Sequence, residues 1–118
     1  MVYIREAHAA DSSWPVGYAK KKGIKNHKNY KDRCMVADVL YKEKKLSIPG
    51  LIDNMDNKVN DAYKGHPTRI FLIRRDGKLG VAGKRGPWGL RPAFQQAQEW
   101  MKIFKETGKE PPLKTGSN

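Results

Sequence analysis

Val2-Tyr3-Ile4-Arg5-Glu6-Ala7-His8, followed by Asp11 and Trp14, is the stretch whose reading decides the fold. Met1 to Ile4 is a short apolar, β-branched and aromatic run, the composition of a buried strand. It stops abruptly in charge. A strand period of two puts Val2, Ile4, Glu6 and His8 on one face, so an acid and an imidazole are expected side by side where the strand leaves the core. If the strand runs parallel to its neighbours, that exit is the carboxyl edge of the sheet, where open α/β folds hold ligands. The alternative is a strand that simply ends in solvated polar residues.

With 118 residues the chain is long enough for one hydrophobic core and too short for two. Hydrophobic residues make up 38% and charged residues 31%, which is polar but unlike a disordered chain. No apolar run approaches the roughly 20 residues that span a bilayer. Met1 leads straight into the first strand without a signal-peptide pattern, so the expected location, as written, is cytoplasmic, with an upstream leader or anchor left open. Lys and Arg total 24 against 12 acids, a formal net charge of +12 that polyanions and anionic ligands should feel. Charge runs are more often solvated surface than binding site. The single cysteine, Cys34, rules out an internal disulfide, a CxxC pair and a cysteine-rich zinc site.

Working outward, Val16 to Asn29 is rich in Gly, Lys and Asn and reads as a loop holding Ile24-Lys25-Asn26-His27-Lys28-Asn29. Tyr30, Cys34, Ala37 and Leu40 or Tyr41 recur at three- and four-residue steps, with Lys31, Asp32, Arg33 and Asp38 facing elsewhere. That pattern predicts an amphipathic helix from about Tyr30 to Leu40, with Cys34 as a small buried hydrophobe. Ile48 to Asp53 predicts a second short strand with an acid at its exit, and Lys58 to Lys64 a short helix packing Val59, Ala62 and Tyr63 inward. Arg69 to Ile73 predicts a strand. Asp76-Gly77 is a hairpin turn signal that returns Lys78 to Ala82 antiparallel. A Gly/Pro-rich loop, Gly83 to Pro92, then precedes a helix over Ala93 to Glu106 with Phe94, Ala97, Trp100, Met101 and Phe104 on one stripe. The expected organisation is one domain, residues 1–107, and a flexible tail, residues 108–118.

The order β-α-β-α-β-β-α predicts an α/β fold, a mixed sheet with flanking helices. It is the arrangement of a thioredoxin-like fold without its first strand and helix. His66-Pro67-Thr68 stands where that fold places a cis-proline beside its redox centre.

Tyr3-Ile4-Arg5-Glu6-Ala7-His8-Ala9-Ala10-Asp11 with Trp14 resembles the strand-and-loop signature of the iodothyronine deiodinases. Ile24 to Asn29 with Asp32-Arg33 is similar to the next block of that family; Asp53, Tyr63 and Pro67-Thr68-Arg69-Ile70 to the one after; and Gly83 to Trp88 to its closing glycine-proline-tryptophan loop. Four blocks in order cover about Val2 to Trp100. The resemblance implies reductive removal of iodine from an iodothyronine by a selenocysteine or cysteine nucleophile, with a thiol reductant as co-substrate and no other cofactor. By the same resemblance Glu6 and His8 are the acid and histidine near the nucleophile, and His27 contacts the phenolic end of the hormone or relays a proton. Arg69 binds the amino-acid end, and Trp14 and Pro67 line the substrate site. Ser12-Ser13 departs from the family, which has a single glycine there. Pairing of two copies is a further implication.

The chemistry suits these residue types. Replacing ring-bound iodine by hydrogen needs a soft nucleophile for the halogen and a proton donor for the carbon. Histidine titrates near neutral pH, a neighbouring carboxylate fixes its tautomer, and arginine holds a carboxylate bidentately. Each residue also has a plainer reading: Glu6 and His8 as a structural pair, His27 as an exposed imidazole, Arg69 paired with Asp53 or Asp76. Glu6, His8 and His27 would leave an open position on a metal ion, but nothing in the sequence specifies one.

No residue here matches the family nucleophile, and Cys34 lies in the wrong block. The expectation is a fragment downstream of a selenocysteine, whose UGA codon is read as a stop. The alternative is a short chain that has lost catalysis, a basic binding protein for an acidic partner or nucleic acid; no nucleic-acid motif supports the latter. A thiol peroxidase-like redox protein would use the same pocket.

Overall fold

The apolar start of the chain forms β1 (Val2–Tyr3), which pairs in parallel with β2 (Leu51–Ile52) in a computed structural model describing residues 1–113. Val2 stands opposite Leu51 and Tyr3 opposite Ile52, and the pairing is extended by the Asp53 amide donating to the Tyr3 carbonyl at 2.9 Å. The chain divides into two compact units, Met1–His66 and Pro67–Asn118.

In the first unit, β1 is followed by α1 (Gly17–Lys22), α2 (Tyr30–Glu43), β2 and α3 (Lys58–Tyr63). Helix α1 lies inside the segment read from sequence as a loop. It is a single lysine-rich turn and a half that buries only Ala19, too short to show an apolar period. Gly23, at φ 67°, ends it in the left-handed conformation that glycine adopts without a Cβ clash, and the Ile24 amide closes the end on the Ala19 carbonyl at 2.9 Å. Helix α2 continues past Leu40 and ends at Glu43, within the charged helix end that Lys42 to Lys45 form in the sequence. Its buried residues are Ala37 and Arg33, so Arg33 faces inward and not away from the core as its charge predicted. In α3 the buried residue is Asn60, while Ala62 and Tyr63, expected to pack inward, are exposed. Tyr3, Ala9, Ala19 and Ala37 form the small apolar core, beside the buried polar residues Arg33, Asp53 and Asn60.

In the second unit, β3 (Phe71–Ile73) and β4 (Leu79–Ala82) form the predicted antiparallel hairpin, with an irregular register between Leu72 and Ile73. Gly77 takes φ 82° at the tip, as the Asp-Gly signal requires, and the Arg74 amide donates to the Lys78 carbonyl at 2.8 Å. Helix α4 (Leu90–Thr107) packs on this hairpin, burying Ala93 against Gly83, where a Cβ would overlap both Ala93 and the Ile70 carbonyl. Trp100 and Phe104 stack with ring centroids 5.6 Å apart. Phe94 and Met101, placed on the same predicted stripe, remain exposed.

The parallel and antiparallel pairings of an α/β fold are thus both present, as two two-stranded sheets. The cis-proline falls elsewhere than predicted: the cis bond among the described residues is Gly86–Pro87, while His66–Pro67 is trans and leads into the extended approach to β3, where Gly86 donates to the Thr68 carbonyl at 2.8 Å. The start of the predicted tail is tied down, because the Arg75 amide donates to Glu110 at 2.9 Å and Arg74 bonds the Pro111 carbonyl. The end of that tail, residues 114–118, lies outside the described residues. Among the described residues no helix is long and apolar enough to cross a membrane.

Candidate active site

Two loops meet at the carboxyl end of β1. The Ala10 amide donates to the Ile24 carbonyl at 2.6 Å, and the Asp11 carboxylate accepts the Asn26 amide at 2.8 Å, which ties residues 8–12 to the segment before α2. A reciprocal cap then fixes where α2 begins: the Asn29 side chain accepts the Asp32 amide at 2.8 Å, and the Asp32 carboxylate accepts the Lys28 amide at 3.1 Å. His27 is thereby held just ahead of the helix.

Its ring bridges two side chains. The Arg33 Nε–H donates to His27 Nδ1 at 3.0 Å, and His27 Nε2 lies 3.4 Å from the Tyr3 hydroxyl, with ring centroids 5.6 Å apart. The Tyr3 hydroxyl in turn donates to Glu6. Glu6, Tyr3, His27 and Arg33 therefore form one connected series. Burial lowers the His27 pKa and the neighbouring Arg33 lowers it further, against opposition from Glu6 and Asp32. Tyr3 is pushed the other way, upward, by burial, then by its bond to Glu6 and that group's charge, so it stays a neutral phenol.

Arg33 anchors the series to the exit of β2. One terminal nitrogen donates to the carbonyls of Asp53 at 3.2 Å and Asn54 at 2.8 Å, and the other to Asn57 Oδ1 at 3.2 Å. Arg33 is 3% exposed, so these acceptors replace the water of its guanidinium. Asp53, the acid at the second strand exit, has a structural role: its carboxylate accepts the amides of Val59 at 3.0 Å and Asn60 at 2.9 Å and so caps α3.

His8 stands apart from this series. Extended backbone ends at Tyr3, so the period of two does not carry through to Glu6 and His8, and no hydrogen bond joins them. His8 Nδ1 instead donates to the Trp14 carbonyl at 2.8 Å, since a carbonyl oxygen only accepts. The two rings meet edge-on with centroids 5.3 Å apart, and Trp14 is 74% exposed.

Pro67 and Arg69 belong to the second unit. Arg69 donates from Nε to the Gly83 carbonyl at 2.7 Å and lies over the Phe71 ring at 4.7 Å. Asp76 pairs with Arg74 at 3.3 Å, and the Asp53 carboxylate accepts the Val59 amide of α3 at 3.0 Å. Among the described residues no group of three His, Cys, Asp or Glu side chains is placed to hold a metal ion.

Comparison with known proteins bears on this arrangement. The family described as iodothyronine deiodinase matches residues 1–104. The chain belongs to the iodothyronine deiodinase family. It is 37% identical over 92 residues to the type I iodothyronine deiodinase of Xenopus laevis, which covers 78% of this chain and 34% of that protein. It is 32% identical over 117 residues to the type II iodothyronine deiodinase of Homo sapiens, covering 93% and 41%, and 32% identical over 108 residues to the thyroxine 5-deiodinase of Sparus aurata, covering 89% and 37%. The chain thus spans between about a third and two-fifths of the length of these deiodinases.

Sequence reasoning missed Tyr3 and Arg33. Tyr3 read as core, although a tyrosine ending a strand three residues before an acid offers a hydroxyl to it. Arg33 read as solvent-facing, yet it stands four residues before the buried Ala37 and so on the same helix face.

Proposed function

We propose that these residues form part of a thioredoxin-like reductive deiodinase acting on an iodothyronine or related haloaromatic, with a thiol as reductant. The observation that carries this reading is the series Glu6–Tyr3–His27 at the carboxyl end of β1, in a chain of the deiodinase family. In the overall reaction the aryl–iodine bond breaks and the ring carbon gains hydrogen. Iodine leaves as iodide, two thiols become one disulfide, and one proton is released. A selenocysteine or cysteine, supplied from outside these 118 residues, would take the halogen.

The residues of this chain handle protons and substrate. His27, Tyr3 and Glu6 offer a connected path for a proton, with histidine the member that titrates nearest neutrality. His8 and the exposed Trp14 offer an imidazole–indole surface to an aromatic ring. Arg69, with Pro67 leading into its strand, supplies a guanidinium for the substrate carboxylate.

The test is to purify the native product from its own cell and measure selenium content and thiol-dependent iodide release from thyroxine. A mass above 13.4 kDa with one selenium and iodide release supports the reading. A selenium-free product of 13.4 kDa that releases no iodide overturns it and favours a non-catalytic basic binding protein.

A further inference from the structure

We infer that Arg33 is a positioning residue that fixes the tautomer of His27 and, through it, the direction of the hydrogen-bonded series ending at Glu6. This rests on the reading of His27 as the proton-handling group of the site.

A guanidinium has donors and no acceptor, and it keeps its charge at any pH the fold survives. The nitrogen of His27 that faces Arg33 Nε at 3.0 Å therefore presents a lone pair, and the neutral ring carries its proton on Nε2. That Nε2–H faces the Tyr3 oxygen at 3.4 Å, and the tyrosine's own proton is committed to Glu6, whose carboxylate only accepts. All three contacts run in one sense, from Arg33 to Glu6.

Arg33 is able to impose this because it cannot turn away. Its two terminal nitrogens are held by the Asp53 and Asn54 carbonyls and by Asn57, on the loop between β2 and α3, and it is buried. Protonating Nδ1 would set one N–H against another and a second cation beside the first. The groups facing His27 are Tyr3 from β1, Glu6 from the segment after it, and Arg33 and Asp32 from α2. Burial and Arg33 oppose the imidazolium, Glu6 and Asp32 favour it, and the first two prevail. His27 thus works as a neutral imidazole whose single N–H, on Nε2, donates a hydrogen bond toward Tyr3, and an arginine at position 33 is needed where a lysine, without the planar fork, would not suffice.

The test is two-bond nitrogen–proton correlation NMR of the full chain labelled with ¹⁵N-histidine, at pH 7.5. The expected spectrum has His27 wholly in the Nε2–H form, with His8, whose Nδ1 donates to Trp14, as a contrast within the same molecule. A cationic or Nδ1–H His27 would overturn the inference. In Arg33→Lys the Nδ1–H form of His27 should rise about tenfold, the size of one lost hydrogen bond; an unchanged tautomer sinks the assignment to Arg33. Tyr3→Phe leaves Arg33 in place and guards against misfolding of the first variant: Nε2–H is expected to persist, and a switch would show that Tyr3, not Arg33, sets it. Each reading is separate from turnover, so a native product that releases no iodide would remove the proposed function and leave the tautomer result standing.

Discussion

His27 and His8 lie in neighbouring loops of one unit, yet the chain holds them by different means. His27 has a side chain on each ring nitrogen, Arg33 on one side and Tyr3 on the other, in a half-buried setting. His8 has a single backbone carbonyl on Nδ1 and an exposed indole beside its ring. The first imidazole has its protonation state dictated by neighbours, which suits a group that donates a hydrogen bond in one fixed direction. The second is oriented but leaves Nε2 without a partner among the described residues, which suits a group that meets a ligand.

Removing the anchor of the first region should have the largest effect. Arg33→Ala strands two carbonyls, the Asn57 side chain and His27, and is expected to destabilise the chain by about 3–4 kcal/mol, several unsatisfied groups at 1–3 kcal/mol each with partial rehydration. Urea unfolding measures it, and a loss below about 1 kcal/mol would show that the buried guanidinium is not the hub described. Asp11→Ala, which frees the Asn26 amide and loosens the loop carrying His27, should cost ~1 kcal/mol in the same assay. Trp14→Ala, at an exposed site, should stay within about 0.5 kcal/mol, so any fall in substrate affinity of that variant reports the surface itself.

Acid sharpens the contrast further. The folded pKa of His27 lies below its unfolded value, so above the unfolded pKa the ring is neutral in both states and contributes no pH dependence. As pH falls through the ordinary histidine range, the unfolded chain takes up a proton that the fold refuses, and stability declines until the folded ring also protonates. Unfolding midpoints at pH 7.5 and pH 5.5 should separate more in the unaltered chain than in His27→Gln. Equal separations would remove the claim that burial and Arg33 hold His27 neutral.

Much of this architecture is legible in the sequence. The parallel exit of β1, the Asp-Gly hairpin, and helices α2, α3 and α4 follow from β-branched runs, turn residues and helical spacing. What periodicity does not carry is a buried charge. Arg33 looks like surface because arginine is seldom buried unless paired, and its partners are carbonyls of residues 53 and 54, which any sequence would supply. The pairing of Glu6 failed for a related reason: a strand two residues long cannot project its alternation five residues further, and the Tyr3 hydroxyl was the nearer donor. Helix α1 was hidden by its lysines. His8 was singled out by its place after the first strand, while His27 was legible only through the family blocks, since a lone imidazole in a polar loop has no signature of its own.

The most direct test of the central claim is iodide release from thyroxine by the native product carrying His27→Ala, with thiol in excess and the unfolding midpoint measured alongside. The account predicts a fall of about 10²–10⁴-fold in kcat, the contribution of a positioned acid–base group, with the fold retained. Turnover unchanged in a folded variant would contradict it.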